Sequence, residues 1–285
     1  MKKILVTGGS GKAGRATIKK LLEKNYKVFN VDIESTSEFD VPFTRVDLEN
    51  FGETVEAVTQ IDDRINGIDA IIHQAAIPAP GLYPNHKTFR VNTLSTYNVF
   101  QCAEIMKIKN IVWASSETVL GLPFDTYPPY VPVDEDYPPR PESSYSLSKV
   151  MGEELARQYC RRNKDMKIFG LRYSNIMEEN DYESFRDFQE DPYVRKWNFW
   201  GYIDSRDVGQ ACLLALESDL KGADNFIIAA DDTVMNKTNK ELLDAVFPNI
   251  KIKGEISDHQ TLLNNSKAKK ILGFQPEYSW RNLVS

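Results

Sequence analysis

The sequence predicts an α/β protein built on a doubly wound parallel sheet, with a small lobe at the C-terminal end. Three observations predict it. Short runs rich in Val and Ile alternate with stretches of helical periodicity through the first 172 residues, the pattern of parallel strands joined by right-handed helical crossovers. Glycines interrupt the passage from the first apolar run to the first helical stretch. The chain has 285 residues, 41% hydrophobic and 27% charged, the composition of one large globular unit.

In chain order, strands are predicted at Lys3–Thr7, Lys27–Asp32, Phe43–Val46, Ala70–His73, Ile111–Ala114 and Lys167–Leu171. Helices are predicted at Ala13–Glu23, Glu53–Asp62, Lys87–Met106 and Tyr145–Cys160. The segment from Gly121 to Ser144 is too rich in proline for regular structure and reads as a long loop over the carboxyl edge of the sheet. After Arg172 the alternation loosens, with a helix at Ser205–Leu216, a strand at Asn225–Ala229 and a helix at Asn239–Val246. Residues 1–172 therefore form the expected first domain. Residues 173–285 form a smaller lobe interleaved with it in one structural unit.

The formal net charge of −6 argues against binding a nucleic acid backbone. No apolar run approaches the roughly 20 residues of a membrane span, and Met1-Lys2-Lys3 leads straight into the first strand without a signal-like stretch. Cys102, Cys160 and Cys212 are widely spaced, which suits a reducing, cytoplasmic setting. His73, His86 and His259 lack the spacing of metal ligands, so no metal is expected.

Gly8, Gly11 and Gly14 follow the first strand with G-x-x-G-x-x-G spacing. Glycine there permits a tight turn and close approach of backbone to a pyrophosphate, which the N–H groups of the following helix can hold. Asp32 ends the second strand, where a carboxylate receives the ribose hydroxyls of an adenosine. Ile33 and Glu34 follow, with no arginine for a 2′-phosphate, so NAD is favoured over NADP; Lys12, which could reach a phosphate, is the contrary feature. The loop residues Gly8, Ser10, Gly11, Lys12, Ala13 and Gly14, with Asp32, are the candidate cofactor contacts.

Tyr145 and Lys149 lie one helical turn apart and share a face. A phenol is a poor base near neutral pH, but an adjacent ammonium and a cationic nicotinamide would favour its ionised form. It could then accept a proton from an alcohol as hydride leaves. Ser115 and Ser116 end the fifth predicted strand, where a hydroxyl could hold the substrate oxygen.

These residues resemble the extended short-chain dehydrogenase/reductases, specifically the NAD-dependent epimerase/dehydratase family. The likeness runs from "TGGSGKAG" through Asp32, "VDL" at Val46–Leu48, "HQAA" at His73–Ala76, "VNTLSTYNV" at Val91–Val99, "ASSETVLG", "YSLSK", "LRYSN" and "GYIDSRDVGQA" to "SKAKKILGFQPEYSW". The resemblance implies a Rossmann-type sheet with a small substrate lobe, and Ser116, Tyr145 and Lys149 as the catalytic trio. It implies that Asp47 and Leu48 flank the adenine and that Gln74, Ala75 and Ala76 line the cofactor cleft. Asn92, Tyr173 and Asn175 would lie near the nicotinamide or substrate. His73 reads as a strand residue without chemistry.

The departures narrow the function. Dehydratases of the family carry an Asp-Glu pair after the residue equivalent to Ser116; here the pair is Glu117-Thr118, which disfavours dehydration. Uronate dehydrogenases, which the chain resembles in its short lobe, carry Asn-His there, and Glu117 would repel a substrate carboxylate unless Arg186, Arg195 or Lys196 compensates. Only Ile176–Trp200 separates "LRYSN" from "GYIDSRDV", shorter than the segment that clamps the nucleotide in epimerases of the family. The reading is a dehydrogenase of a small sugar-like alcohol, with Ser116, Glu117, Thr118, Asn175 and Arg195 as substrate contacts and Tyr193 and Trp197 alongside. The alternatives are a sugar-nucleotide epimerase and a non-catalytic dinucleotide sensor. A homodimer is expected through apolar residues Leu94, Tyr97, Cys102, Met106, Met151, Leu155 and Tyr159.

Overall fold

The computed structural model describes residues 1–59 and 67–282. In chain order the elements are β1 (Lys3–Thr7), α1 (Lys12–Glu23), β2 (Lys27–Asp32), β3 (Phe43–Arg45), α2 (Phe51–Thr59), β4 (Ala70–His73), α3 (Asn85–Ile105) and β5 (Asn110–Ser116). There follow α4 (Ser144–Arg162), β6 (Lys167–Tyr173), β7 (Ile176–Met177), β8 (Ile203–Asp204), α5 (Ser205–Glu217), β9 (Gly222–Ile228), α6 (Asn239–Val246) and α7 (Ser266–Leu272). Seven strands form one parallel sheet in the order β3-β2-β1-β4-β5-β6-β9, and β7 and β8 form a separate short pair. The order reverses between β1 and β4, and at such a switch point the loops leave a crevice beyond the carboxyl ends of the strands.

Burial explains why these runs are strands. Ile4, Leu5 and Val6 are buried on both faces, as are Ile71 and Ile72, which is the signature of an inner parallel strand. One apolar layer lies between the sheet and α1, α5 and α7; the other lies between the sheet and α3 and α4, with α2 at its edge. Gly209 lets α5 close on α1, since a Cβ there would lie 2.6 Å from the Ala16 carbonyl oxygen. Gly152 lets α4 lie flat on the Trp113 ring, where a Cβ would sit at 2.6 Å. Overpacking of that kind typically costs about 1–3 kcal/mol.

The structure differs from expectation in several places. β5 runs on to Ser116 and β6 to Tyr173, which carries both residues to the carboxyl edge. Residues 60–62 of the helix predicted to end at Asp62 lie outside the described residues. The Pro-rich segment has no helix or strand before α4 begins at Ser144, as its prolines predict, but much of it is interior: Leu122, Phe124, Val131 and Val133 are buried in the core of the lobe, and its backbone bridges to Ile252 and Leu263. The sheet continues past residue 172, because β9 pairs along the whole of β6. Of the residues expected on an exposed helical face, Cys102 and Tyr159 belong to the core against the sheet, and Leu155 packs on it. Leu94, Tyr97, Met106 and Met151 are exposed on α3 and α4.

Candidate functional site

The phosphate loop is built by close approach. Gly8 adopts φ +69°, and a Cβ on it would meet the Ala75 backbone at 2.5 Å. A Cβ on Gly14 would lie 2.1 Å from the Gly8 carbonyl oxygen, so α1 can begin against β1 only with glycine there. Gly11 is the N-cap of α1 and carries no side chain to satisfy the first N–H groups, which leaves them available to an anion. Gly9, which sequence reasoning passed over, is equally restricted: its Cβ would fall 2.2 Å from Asn30 Oδ1.

Asp32 sits at the end of β2 beside this loop. Its Oδ2 accepts from the Ser10 N–H at 2.9 Å and its Oδ1 from its neighbour Ile33 at 2.7 Å, which orients the carboxylate and leaves lone pairs for hydroxyl donors. Ser10 also donates through Oγ to the Glu34 carbonyl at 2.6 Å. Lys12 forms an ion pair with Asp181 and so is held away from the free state assumed for it from sequence. Arg15, overlooked in the sequence although it directly follows Gly14, donates to the Ser10 carbonyl at 2.9 Å and pairs with Glu38 and Glu178 at 2.8 and 2.5 Å. The acidic stretch after β7 thereby lies against the phosphate loop.

The remaining predicted cofactor residues divide. Asp47 accepts from the Glu49 N–H at 2.9 Å, while the buried Leu48 carbonyl takes Asn98 Nδ2 at 2.8 Å, so both are held on the loop after β3. Ala75 and Ala76 continue β4 into the crevice, with Ala75 against Gly8. Gln74 turns its amide to Thr17 and Cys212 at 2.8 and 3.1 Å, and the Tyr173 hydroxyl also meets Cys212 Sγ, at 3.0 Å. Both polar groups are thus engaged in the α1/α5 layer. Asn92 clamps Ile77 in both directions, accepting its N–H at 2.8 Å and donating to its carbonyl at 3.0 Å. That is a fastening task for the loop after β4. His73 lies between Thr7 and Thr96 hydroxyls, 2.7 and 3.3 Å away, and burial, with Lys149 nearby, lowers its pKa to about 3.

Ser116, Tyr145 and Lys149 do converge. The Ser143–Ser146 capping box starts α4 in such a way that Tyr145 lies in its first turn and Lys149 one turn on, both buried. Tyr145 shares a hydrogen bond with Ser116, whose Oγ accepts from the Thr118 N–H and hydroxyl at 3.2 and 3.0 Å. Lys149 Nζ donates to the Ala114 carbonyl at 2.7 Å and stands 5.6 Å from the Tyr145 ring centroid. The expected lowering of the phenol calls on both the ammonium and a cationic nicotinamide; in the chain alone, burial holds Tyr145 up at about 12 and brings Lys149 down to about 8. Ser115, the other candidate hydroxyl, donates to Glu153 at 2.7 Å and joins a buried Glu153–Arg172 ion pair beneath α4.

Glu117 forms a second focus beside the trio. It is 3% exposed, accepts from Ser174 Oγ at 2.6 Å and from Asn198 Nδ2 at 3.2 Å, and receives the Asn175 N–H. Arg195 is also buried, lies 5.1 Å from the Phe188 ring and 4.9 Å from the Trp197 ring, and donates to the Gly201 carbonyl at 3.0 Å. Asn198 and Ser174 were missed from sequence: Ser174 stands inside "LRYSN" but was given no role, and Asn198 lies in no motif. Tyr193 is exposed and turns its hydroxyl to the Ala245 carbonyl. An open cleft of about 590 Å³, lined by residues between Asp231 and Asn282, shares no residue with this constellation. Its Asp232 is already engaged by Tyr202, Ser279 and Arg281, so the crevice at the switch point is the better candidate. Among the described residues no group of three His, Cys, Asp or Glu is placed to hold a metal ion, and no helix is long and apolar enough to cross a membrane.

Comparison with known proteins agrees with this architecture. The sequence model of the NAD dependent epimerase/dehydratase family matches residues 4–229. The L-arabinose 1-dehydrogenase (NAD(P)(+)) of Haloferax volcanii is 29% identical over 255 residues, covering 84% of this chain and 92% of the relative. Mouse UDP-glucose 4-epimerase is 31% identical over 227 residues, covering 74% of this chain and 63% of the relative. The match to an epimerase relative in Methanocaldococcus jannaschii spans 56% of that protein. A short-chain dehydrogenase/reductase superfamily protein of Agrobacterium tumefaciens, solved with bound NAD, superposes with a TM-score of 0.75 at 22% identity over 99% of this chain and 94% of that one.

Proposed function

This chain belongs to the NAD-dependent epimerase/dehydratase family, and from that premise we propose that it is an NAD-dependent oxidoreductase acting on a secondary alcohol of a small sugar or sugar-like substrate. The observation that carries the reading is the buried convergence of Ser116, Tyr145 and Lys149 at the carboxyl edge of a sheet whose switch point holds a glycine cradle. The cradle fits a dinucleotide, because the space that a Cβ would fill at Gly8 and Gly14 is what a close backbone turn needs. Residues 1–172 hold the cofactor in this reading, and the stretch from residue 173 covers the substrate.

NAD, when bound, supplies the hydride acceptor and a positive charge. Ser116 holds the substrate oxygen, and Tyr145 accepts the alcohol proton. Lys149 orients the cofactor ribose and adds positive charge near Tyr145. In the structure Tyr145 rests in its neutral form, so the added charge is what makes it a base near neutral pH. Asp32 receives the ribose hydroxyls, and Asp47, Leu48, Ala75 and Ala76 border the cofactor. Thr118, Asn175, Glu117 and Arg195 line the substrate side, through contact or through their neighbours.

The sequence match that spans 92% of the arabinose dehydrogenase, against 56% and 63% of two epimerase relatives, favours a dehydrogenase of a free sugar. A sugar-nucleotide epimerase is the second reading, favoured by the identity to the mouse enzyme. Incubation with NAD and L-arabinose, D-galactose, D-galacturonate or UDP-glucose, followed by NADH absorbance and product chromatography, separates them. Net NADH from a free sugar supports the dehydrogenase; UDP-galactose formed without NADH supports the epimerase. No turnover of any compound, with NAD bound, would favour a dinucleotide sensor.

A homodimer in a reducing, cytoplasmic setting completes the proposal. It is supported by Leu94, Tyr97, Leu147 and Met151 exposed on neighbouring helices α3 and α4, and by three buried free cysteines. Light scattering that gave 32.5 kDa, the mass of one chain, would remove the dimer.

A further inference from the structure

We propose that Glu117 is a positioning residue that ties the 195–201 segment of the lobe to Tyr145, so that the charge on its carboxyl sets how readily Tyr145 gives up its proton. The inference rests on the reading of Tyr145 as proton acceptor and adds to it a role that Glu117 exerts through Asn198 and Tyr145. Three separate pieces of chain meet at Glu117: the turn directly after β5, which bears it; Ser174 and Asn175 beyond β6; and Asn198 in the lobe.

The lobe segment needs such a tie. Phe199 and Trp200 hold φ of 52° and 56°, a left-handed backbone that aromatic residues rarely adopt. Asn198 Nδ2 and Arg195 both donate to the Gly201 carbonyl, closing the strained turn, and the same Asn198 amide donates to Glu117. The carboxyl is therefore the anchor from which that turn hangs.

Its charge is finely balanced by the same neighbours. Burial favours the neutral acid, while the Ser174 hydroxyl, the Asn198 amide, Arg195 and the Asn175 N–H favour the carboxylate; the outcome is a group pushed up to about 7. The ionisable groups facing it are Tyr145 from α4 and Arg195 from the lobe; Lys149, a turn along α4, acts on His73. Charge on Glu117 disfavours the phenolate of Tyr145. Both forms of Glu117 are populated around neutrality, and the neutral one leaves Tyr145 the easier base.

The test pairs spectroscopy with kinetics. With carboxyl-labelled glutamate and ring-labelled tyrosine, NMR follows two resonances, assigned by their loss in Glu117→Gln and Tyr145→Phe. The expected result is a Glu117 midpoint near 7, with the Tyr145 signal shifting at the same midpoint. A Glu117 midpoint in the ordinary carboxylate range, or a Tyr145 signal indifferent to it, overturns the proposal. Should Glu117→Gln not fold, Ser174→Ala removes a donor to the carboxylate and should raise the Glu117 midpoint; an unmoved midpoint is equally fatal. Where a sugar is oxidised, Glu117→Gln should shift the rising limb of kcat/KM to lower pH by about one unit, roughly tenfold at fixed pH, and Glu117→Asp should restore part of the original profile. A lower kcat at every pH with an unchanged profile would mean a merely structural role. If no compound is turned over, the reading of the activity fails while the NMR titration still decides the coupling.

Discussion

At the scale of single residues, the two buried partners Tyr145 and Lys149 separate experimentally. Tyr145→Phe removes only a hydroxyl and its bond with Ser116, so NAD should still bind while turnover falls about 10²–10⁴-fold. Lys149→Met loses the ammonium over Ala114 as well, and should damage both turnover and the calorimetric affinity for NAD. Retention of most activity in Tyr145→Phe would show the trio to be misassigned. Asp32 has a second duty not apparent from sequence, since it anchors Ser10 of the phosphate loop. Asp32→Ala should therefore weaken NAD and narrow its margin over NADP by about tenfold, a change of the size of one lost charge-assisted hydrogen bond. Arg15 beside Ser10 would be the cation that receives a 2′-phosphate in that variant, and equal or tighter NADP binding by the unaltered protein would overturn the NAD preference.

At the scale of elements, the β1–α1 turn is tightly constrained by close backbone approach at Gly8 and Gly14. Gly14→Ala would drive a methyl against the Gly8 carbonyl, so α1 must slide; roughly 1–3 kcal/mol of stability and most NAD affinity should go with it. Calorimetry and a melting curve would check this, and an unchanged NAD affinity would mean that the ligand lies elsewhere. Elements such as β1, α1, β2 and β4 were legible because their periodicity and burial agree: Ile4–Val6 and Ile71–Ile72 are apolar and wholly inside. The stretch from Glu178 to Trp200 was not. It folds as two 3-10 turns and irregular chain, with Tyr182 and Phe185 buried in the first turn and Phe199 and Trp200 buried just after the second, and no period for a reader to follow. In the site, spacing revealed Tyr145 and Lys149, which share one helix. The Glu117–Ser174–Asn198 meeting joins residues up to 81 positions apart, which no local pattern reveals.

At the scale of the whole molecule, the buried ionisable groups make stability depend on pH. Burial raises Glu117 and Asp207 to about 7, well above ordinary carboxylates, so both favour the folded state at low pH and lose that contribution as pH rises toward 7. His73 acts oppositely: held at about 3, it contributes fully above its ordinary value of 6.5 and loses ground as pH falls below it. Two carboxyls outweigh one imidazole over most of the range. The melting temperature should fall by on the order of 5 °C between pH 5 and 8, and Glu117→Gln should flatten the slope. A melting temperature that rose over that interval would contradict the burial described. The chain leaves the sheet at Tyr173 and is back in its helical layer at Ser205, and both ends are fixed by pairing or packing. What lies between is an insertion with fixed ends, so a rewritten stretch that refills the space of Tyr182, Phe185, Phe199 and Trp200 should leave the sheet and the phosphate loop intact. Two seams limit the exchange: the Asn198 tie to Glu117, and the contacts with the phosphate loop. A replacement lacking carboxylates at positions 178 and 181 would strip Lys12 of its partner and leave Arg15 only Glu38 and the Ser10 carbonyl, with two cations less well balanced at one turn. New specificities on this chassis should therefore arise with those two acidic positions preserved.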